Sequence, residues 1–252
     1  MQLFYRELGQ GQPLVVLHGL FGSCDNWLTV SKPLAEHFHV FLVDQRNHGR
    51  SPHANEHSYK TMSEDIVEFL AQQSIQKAHI LGHSMGGKTA MHLALNFPEL
   101  VDRLVVADIA PRYYSPHHQD VIAGFRTINL ETLTSREEAD KLMSKELPEI
   151  GVRQFLLKNL YRDEHSKFAW RMNLEGLVNQ IENIGEESKG TPFTSPTLFI
   201  RGEQSRYIQE KDLPLINQLF PDNKLVTIPG AGHWVQAEKP KEFVDAVLEA
   251  LC

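Results

Sequence analysis

His79-Ile80-Leu81-Gly82-His83-Ser84-Met85-Gly86-Gly87-Lys88-Thr89 admits two readings, and they lead to different chemistry. The stretch leaves a short apolar run, as a buried strand does, and opens residues of helical period, so it is a strand-to-helix turn. Read as G-x-S-x-G, Gly82-His83-Ser84-Met85-Gly86 is a nucleophile elbow. A sharp turn there holds the serine in a strained conformation with its hydroxyl exposed, and small residues two positions either side let neighbouring elements approach. The N–H of Met85, at the start of the helix, then points toward an oxyanion. Read as G-x-x-x-x-G-K-[ST], Gly82, Gly87, Lys88 and Thr89 form a phosphate-cradling P-loop. Even Leu104-Val105-Val106-Ala107-Asp108 imitates the Mg²⁺-binding strand of nucleotide hydrolases.

The remainder of the chain separates the two, because a P-loop leaves three further motifs unused. His18-Gly19-Leu20-Phe21-Gly22 follows the apolar run Leu14 to Leu17. A turn there offers a backbone N–H, that of Leu20, as a partner to Met85 in an oxyanion hole. Asp44-Gln45-Arg46-Asn47-His48-Gly49-Arg50-Ser51 is a turn at a strand end. Gly230-Ala231-Gly232-His233-Trp234 follows the last apolar run, and its glycines permit a tight turn that presents an imidazole. A serine hydroxyl is a weak nucleophile until a positioned base takes its proton, so an elbow serine requires a histidine of this kind.

In this order the motifs are specific. The chain resembles the α/β-hydrolase superfamily and, within it, the bacterial YbfF-type esterases. The carriers are His18 to Ser23, Asp44 to Ser51, Gly82 to Lys88, Asp108 to Pro111 and Gly230 to His233. The resemblance implies an α/β fold with a mostly parallel sheet flanked by helices, and a helical cap inserted between the sixth and seventh strands of the family order. It also implies a hydrolase of ester or thioester substrates that uses no cofactor. With the order serine, acid, histidine, the acid lies between Ser84 and His233. Many relatives place an Asp three residues past a Gly after the run Thr197 to Ile200, but Ser205 occupies that slot here. The candidates are Asp108, at the end of the preceding strand as in YbfF-type enzymes, and Glu203; Asp108 is preferred. Either carboxylate can hold the tautomer of His233 and stabilise its imidazolium.

Short β-branched runs alternate with helical stretches along the chain. Leu14–Leu17, Val40–Val43, Ile80–Leu81, Leu104–Ala107, Thr197–Ile200 and Leu225–Ile228 read as buried parallel strands, and Leu3 to Leu8 as an edge strand. Tyr59 to Ala71, Met85 to Phe97 and Pro240 to Leu251 read as helices, which gives the βαβ rhythm of a doubly wound sheet. The rhythm breaks over 112–190. There Ser135-Arg136-Glu137-Glu138 is a capping box and Val152 to Tyr161 a further helix. A structureless loop of that length is implausible, so 112–190 reads as a helical cap on a core of 1–111 and 191–252.

Twenty-five Lys and Arg against 32 Asp and Glu give a net charge of −7, which offers no footprint for nucleic acid. Two cysteines, Cys24 and Cys252, without ligand spacing fit a reducing compartment. The first residues lack a basic and apolar leader, and no run is long enough to span a membrane, so the expected location is cytoplasmic. His53-Ala54-Asn55-Glu56-His57 matches H-x-x-E-H, but Pro52, Asn55 and Ser58 make it a surface loop, and no metal is expected. His117-His118 reads as solvated, His18 and His83 as supporting residues, Asp44 and Arg46 as loop-fixing, and Lys88 as half of a structural ion pair. Most cap aromatics read as packing residues, with a few lining an acyl pocket.

The expectation is thus an acyl-enzyme mechanism on small ester or thioester substrates of short to medium chain, acyl-CoA among them. Ser84 is the nucleophile, His233 the base, Asp108 the acid, and the N–H groups of Leu20 and Met85 the oxyanion donors. Two rivals remain. A P-loop nucleotide hydrolase predicts Mg²⁺-dependent turnover that fails in Lys88→Ala. A ligand-binding receptor on a hydrolase scaffold predicts binding without turnover.

Overall fold

The computed structural model describes residues 1–115 and 118–252. Every apolar run is a strand. They are β1 (Tyr5–Leu8), β2 (Gln12–Leu17), β3 (Phe38–Val43), β4 (Ala78–His83), β5 (Val101–Ala107), a short pair β6 (Leu160–Arg162) and β7 (Phe168–Trp170), then β8 (Thr197–Gly202) and β9 (Asn223–Ile228). The helices are α1 (Leu28–Leu34), α2 (Tyr59–Gln72), α3 (Met85–Asn96), α4 (Gln119–Arg126), α5 (Arg136–Met143), α6 (Ile150–Leu156), α7 (Leu174–Asn179), α8 (Leu213–Leu219), α9 (Val235–Glu238) and α10 (Pro240–Leu251). No helix among the described residues is long and apolar enough to cross a membrane.

Seven strands form one sheet in the order β1-β3-β2-β4-β5-β8-β9. Only the edge strand β1 is antiparallel to its neighbour. The sheet is covered on both faces, which is why its strands are apolar throughout rather than alternating. On β2, Val15 and Leu17 pack with Ile66 and Phe69 of α2 and Met91 of α3, whereas Leu14 and Val16 pack with Leu34 of α1 and Phe243 and Val247 of α10. From β2 the chain moves outward to β3 and then returns to the other side of β2 as β4. That reversal leaves a crevice at the carboxyl ends of β2 and β4, where an open α/β sheet binds its ligands. The registers Leu17↔Gly82, His83↔Ala107 and Gly202↔Ile228 bring the ends of five strands to this one edge.

The sheet is interrupted between β5 and β8, its fifth and sixth strands in chain order, by α4 to α7 and the β6–β7 hairpin. The insertion has its own apolar cluster, including Phe125, Met143, Leu156 and Leu177, and Phe21 from the turn after β2 joins it. The hairpin departs from the helix expected over Val152 to Tyr161. α6 ends at Leu156 and the chain continues as a single 3₁₀ turn, Leu157–Asn159, before β6, with side chains bonded to its carbonyls and to those beside it. Arg136 donates to Leu157 O (2.7 Å) and to Leu160 O, and Asn159 Nδ2 donates to Leu156 O (3.1 Å). The Asp163 carboxylate then closes the hairpin turn by accepting from the N–H groups of His165 (2.9 Å) and Lys167 (2.8 Å).

The capping box at α5 is also shifted. Ser135 Oγ accepts from Glu138 N (3.1 Å), but the Glu138 carboxylate reaches back to the N–H and hydroxyl of Thr134 (2.9 and 2.6 Å) rather than to Ser135 N. The His53–His57 stretch is a loop, although His57 is buried rather than at the surface.

Candidate active site

The turn between β4 and α3 is built by its glycines. A Cβ on Gly82 would stand 2.2 Å from Gly86 O, and one on Gly86 would stand 2.3 Å from Leu17 O, so only glycine lets the helix start this close to the sheet. Between them Ser84 takes φ 53° and ψ −117°, a conformation that costs a non-glycine residue on the order of 1–3 kcal/mol. Its N–H is held by Ala107 O at 3.0 Å. Met85 is the first residue of α3, so its N–H belongs to the group of N-terminal donors that have no acceptor within the helix.

Asp108 follows β5 directly and is fully buried, also at positive φ (51°). Aspartate tolerates that region better than most residues. Its Oδ1 accepts from Gly202 N (3.0 Å), and its Oδ2 accepts from the Ser205 hydroxyl and from His233 Nδ1–H (2.7 Å). With Nδ1 protonated toward Asp108, the other ring nitrogen of His233 is an acceptor, and it lies 3.1 Å from Ser84 Oγ. The structure therefore brings together Ser84, His233 and Asp108, which are far apart in the sequence. Glu203 does not join them: it is exposed and accepts from Gly230 N (2.8 Å). Ser205, two residues beyond Glu203, points its hydroxyl at the carboxylate supplied by β5.

The surrounding histidines are structural. Burial lowers the pKa of His83 to about 3, so the ring is neutral, and Nε2–H donates to His233 O (2.8 Å), fixing the loop that carries the base. Burial also lowers His18, whose Nε2 accepts from Gln45 N (3.0 Å). His48, lowered further by burial and by the neighbouring histidines, accepts from Phe21 N (3.1 Å). Gly22 N donates to Gly19 O (3.0 Å). The N–H groups of Phe21 and Gly22 are thus engaged within the turn, while Leu20 lines the cavity beside Ser84. Asp44 and Arg46 fix their loop as expected. The Asp44 carboxylate accepts from Cys24 N (2.6 Å) and Arg50 N (2.8 Å), and Arg46 forms a bidentate pair with Asp65 at 2.6 and 2.9 Å.

One feature lay outside the sequence reading, and one corrects it. The Tyr207 ring stacks on His233, with centroids 4.0 Å apart and planes 21° apart. Lys88 is not half of an ion pair. Its ammonium is buried and donates to the carbonyls of Pro111 (3.1 Å), Arg112 (2.6 Å) and Glu186 (2.5 Å). It therefore faces protein carbonyls rather than a phosphate cradle, and Asp108 is already committed to His233, so the P-loop reading has neither its lysine nor its acid.

A cavity of about 700 Å³ opens on Ser84 and His233. Leu20 and Trp234 line it from the sheet side, and Val121, Leu147, Val152 and Phe155 from the insertion. The Phe155 and Trp234 rings meet across it at 5.7 Å. His118 lines the same cavity rather than lying in solvent, and His117 lies outside the described residues.

A family model described as alpha/beta hydrolase fold matches residues 12–240. The chain belongs to the α/β-hydrolase family. Among solved structures, this α/β hydrolase is similar to a marine microorganism esterase, at 46% identity and a TM-score of 0.97 over 99% of each chain. It is 39% identical to Esterase YbfF of Escherichia coli over 95% of this chain and 91% of that protein. It is 40% identical to the sn-1-specific diacylglycerol lipase ABHD11 of Danio rerio, over 96% of this chain and 79% of that protein. As a member of this family the chain is an enzyme, a hydrolase, and its seven-stranded sheet with helices on both faces is the family's fold.

Proposed function

We propose that this α/β hydrolase is a serine esterase that cleaves small esters or thioesters of short to medium apolar acyl chains through an acyl-enzyme on Ser84. The observation that carries the proposal is the continuous line from Asp108 Oδ2 through His233 to Ser84 Oγ, 2.7 and then 3.1 Å, opening into a mainly apolar cavity. His233 takes the hydroxyl proton as Ser84 Oγ attacks the substrate carbonyl, and Asp108 holds the tautomer and balances the imidazolium. The N–H groups of Met85 and Leu20 stabilise the tetrahedral oxyanion, each contributing about 3 kcal/mol to the lowering of the barrier. His233 returns its proton to the leaving alcohol or thiol. It then takes one from the water that attacks the acyl carbon and gives it to Ser84 Oγ as the bond to the acyl group breaks, which releases the acid and restores Ser84.

Residues 112–190 act as a cap whose apolar side chains hold the acyl chain. A volume of about 700 Å³ suits a chain of this size. The esterase and lipase names of the relatives agree with an ester substrate. The test is a series of p-nitrophenyl esters from acetate to octanoate, with matched acyl thioesters, assayed in the presence of a chelator. Turnover of the series by the wild type and its loss in Ser84→Ala are expected. An unchanged rate in Ser84→Ala overturns the proposal.

A further inference from the structure

Lys88 lies one helical turn beyond Ser84 on α3, and the acyl-enzyme mechanism gives it no task. Its surroundings are unusual for a lysine. It is among the largest fully buried side chains, and its Nζ sits 5.3 Å from the Tyr114 ring centroid and 5.9 Å from that of Tyr59. An ammonium has three N–H donors and no acceptor, and Lys88 meets three backbone carbonyls. Pro111 and Arg112 belong to the segment leaving the core for the cap, and Glu186 to the segment returning from it. The two segments also bond to one another, Tyr114 N to Gly185 O (2.8 Å) and Ser188 N to Pro111 O (2.7 Å). Tyr59 of α2 donates to Ile184 O (2.6 Å). Both segments at the base of the cap are therefore gathered on α3 by one side chain.

This base touches the reacting groups. Tyr114, Ile184 and Gly185 line a small cavity of about 30 Å³ beside Ser84 and Met85. Tyr114 Oη accepts from Ala110 N (2.9 Å) and donates to Tyr207 O, and the Tyr207 ring is the one stacked on His233. A continuous set of contacts thus runs from Lys88 through the cap base and Tyr207 to the imidazole.

We infer that Lys88 is a positioning residue: by donating its N–H groups to the carbonyls of Pro111, Arg112 and Glu186, it seats the base of the cap on the nucleophile helix and so sets the placement of Tyr207 against His233. The inference rests on the esterase reading. It differs from a purely structural role for the lysine in where the loss falls. A cap that is merely less stable binds long acyl chains less well and raises KM. A displaced Tyr207 and His233 lower kcat, even for a substrate that fills little of the cavity.

The test compares Lys88→Met and Lys88→Arg with the wild type on p-nitrophenyl acetate at pH 6.5, where Lys88 is an ammonium, together with the rate at which a fluorophosphonate labels Ser84. Methionine keeps apolar bulk and removes the donors; arginine keeps the charge and the donors. Lys88→Met is expected to lose about tenfold in kcat, with KM for the acetate within about twofold of wild type, since small misplacements of reacting groups are costly. Labelling is expected to slow in parallel, and Lys88→Arg to recover most of the loss. A Lys88→Met enzyme with wild-type kcat overturns the inference, as does a loss confined to KM.

Should Lys88→Met fail to fold, amide hydrogen exchange of the wild type decides. The N–H groups of Tyr114 and Ser188 are expected to be protected to the same degree as those of β5, and exchange at the unprotected rate overturns the inference. A wild type that neither cleaves the ester nor takes the label overturns the esterase reading instead.

Discussion

Asp108 and Glu203 both follow strands at the same edge of the sheet, yet only Asp108 reaches the imidazole. β5 lies between β4 and β8, so the residue after it points under the loop that carries His233, and its carboxylate is buried there with three donors. Glu203 stands on the outer side of that loop and ties down Gly230 N. Replacing either carboxylate by its amide keeps size and removes charge. Asp108→Asn is expected to lose on the order of 10⁴ in kcat, because the imidazole loses the partner that sets its tautomer. Glu203→Gln is expected to stay within a few-fold of wild type, and steady-state kinetics on one ester compares them directly. At this scale the sequence was informative where residue type and local motif coincide: Ser84 between its glycines, His233 after Gly232, and Asp108 at a strand end. It was silent on Tyr207 and on the destination of Lys88, because the groups these side chains meet arrive from loops with no motif of their own.

The elements follow from patterns that are strong in the sheet and weak in the insertion between β5 and β8. Strands buried on both faces are apolar runs, and α2, α3 and α10 were readable to within a residue or two. In the insertion the helices are short, and their ends are decided by side chains such as Arg136 and Asp163 that cap carbonyls or close a turn, so local period alone misplaced the end of α6. The turn from β4 to α3 has no room for a side chain at Gly82 or Gly86. Gly86→Ala would bring a Cβ to 2.3 Å from Leu17 O and 2.6 Å from His18 O, both backbone atoms with little room to move. A loss of about 3 kcal/mol or more in urea denaturation is expected, at the upper end of overpacking costs. Gly151→Ala in α6 meets nothing within 4 Å. It is expected to leave stability unchanged or raise it by about 0.5–1 kcal/mol, since alanine favours helix.

Over the whole molecule the mild acidity has a narrow meaning, since the groups that matter for pH are buried. Burial is the main cause that lowers the pKa of Lys88 to about 7, with Arg112 adding to it and Glu186 and Glu187 opposing. Tyr59 and Tyr114, packed against it from α2 and the cap base, are themselves raised by burial and stay neutral across this range. Between pH 7 and the ordinary lysine value the unfolded chain binds a proton that the folded chain does not. Stability therefore rises with pH across that window, by about 1.4 kcal/mol per pH unit for one proton, and the gain is lost as the pH falls through the window to about 7. Lys88→Met removes this contribution. The slope of unfolding free energy between pH 7.5 and 9, measured with urea, is expected to be shallower in the variant by about that amount.

The proposed acyl-enzyme mechanism turns on one atom, Ser84 Oγ. Treatment of the purified enzyme with a fluorophosphonate, followed by peptide mass mapping, tests it most directly. A single adduct on Ser84, formed in step with loss of ester hydrolysis and absent from Ser84→Ala, is the expected result. Full ester hydrolysis by protein that carries no adduct on Ser84 would contradict the account.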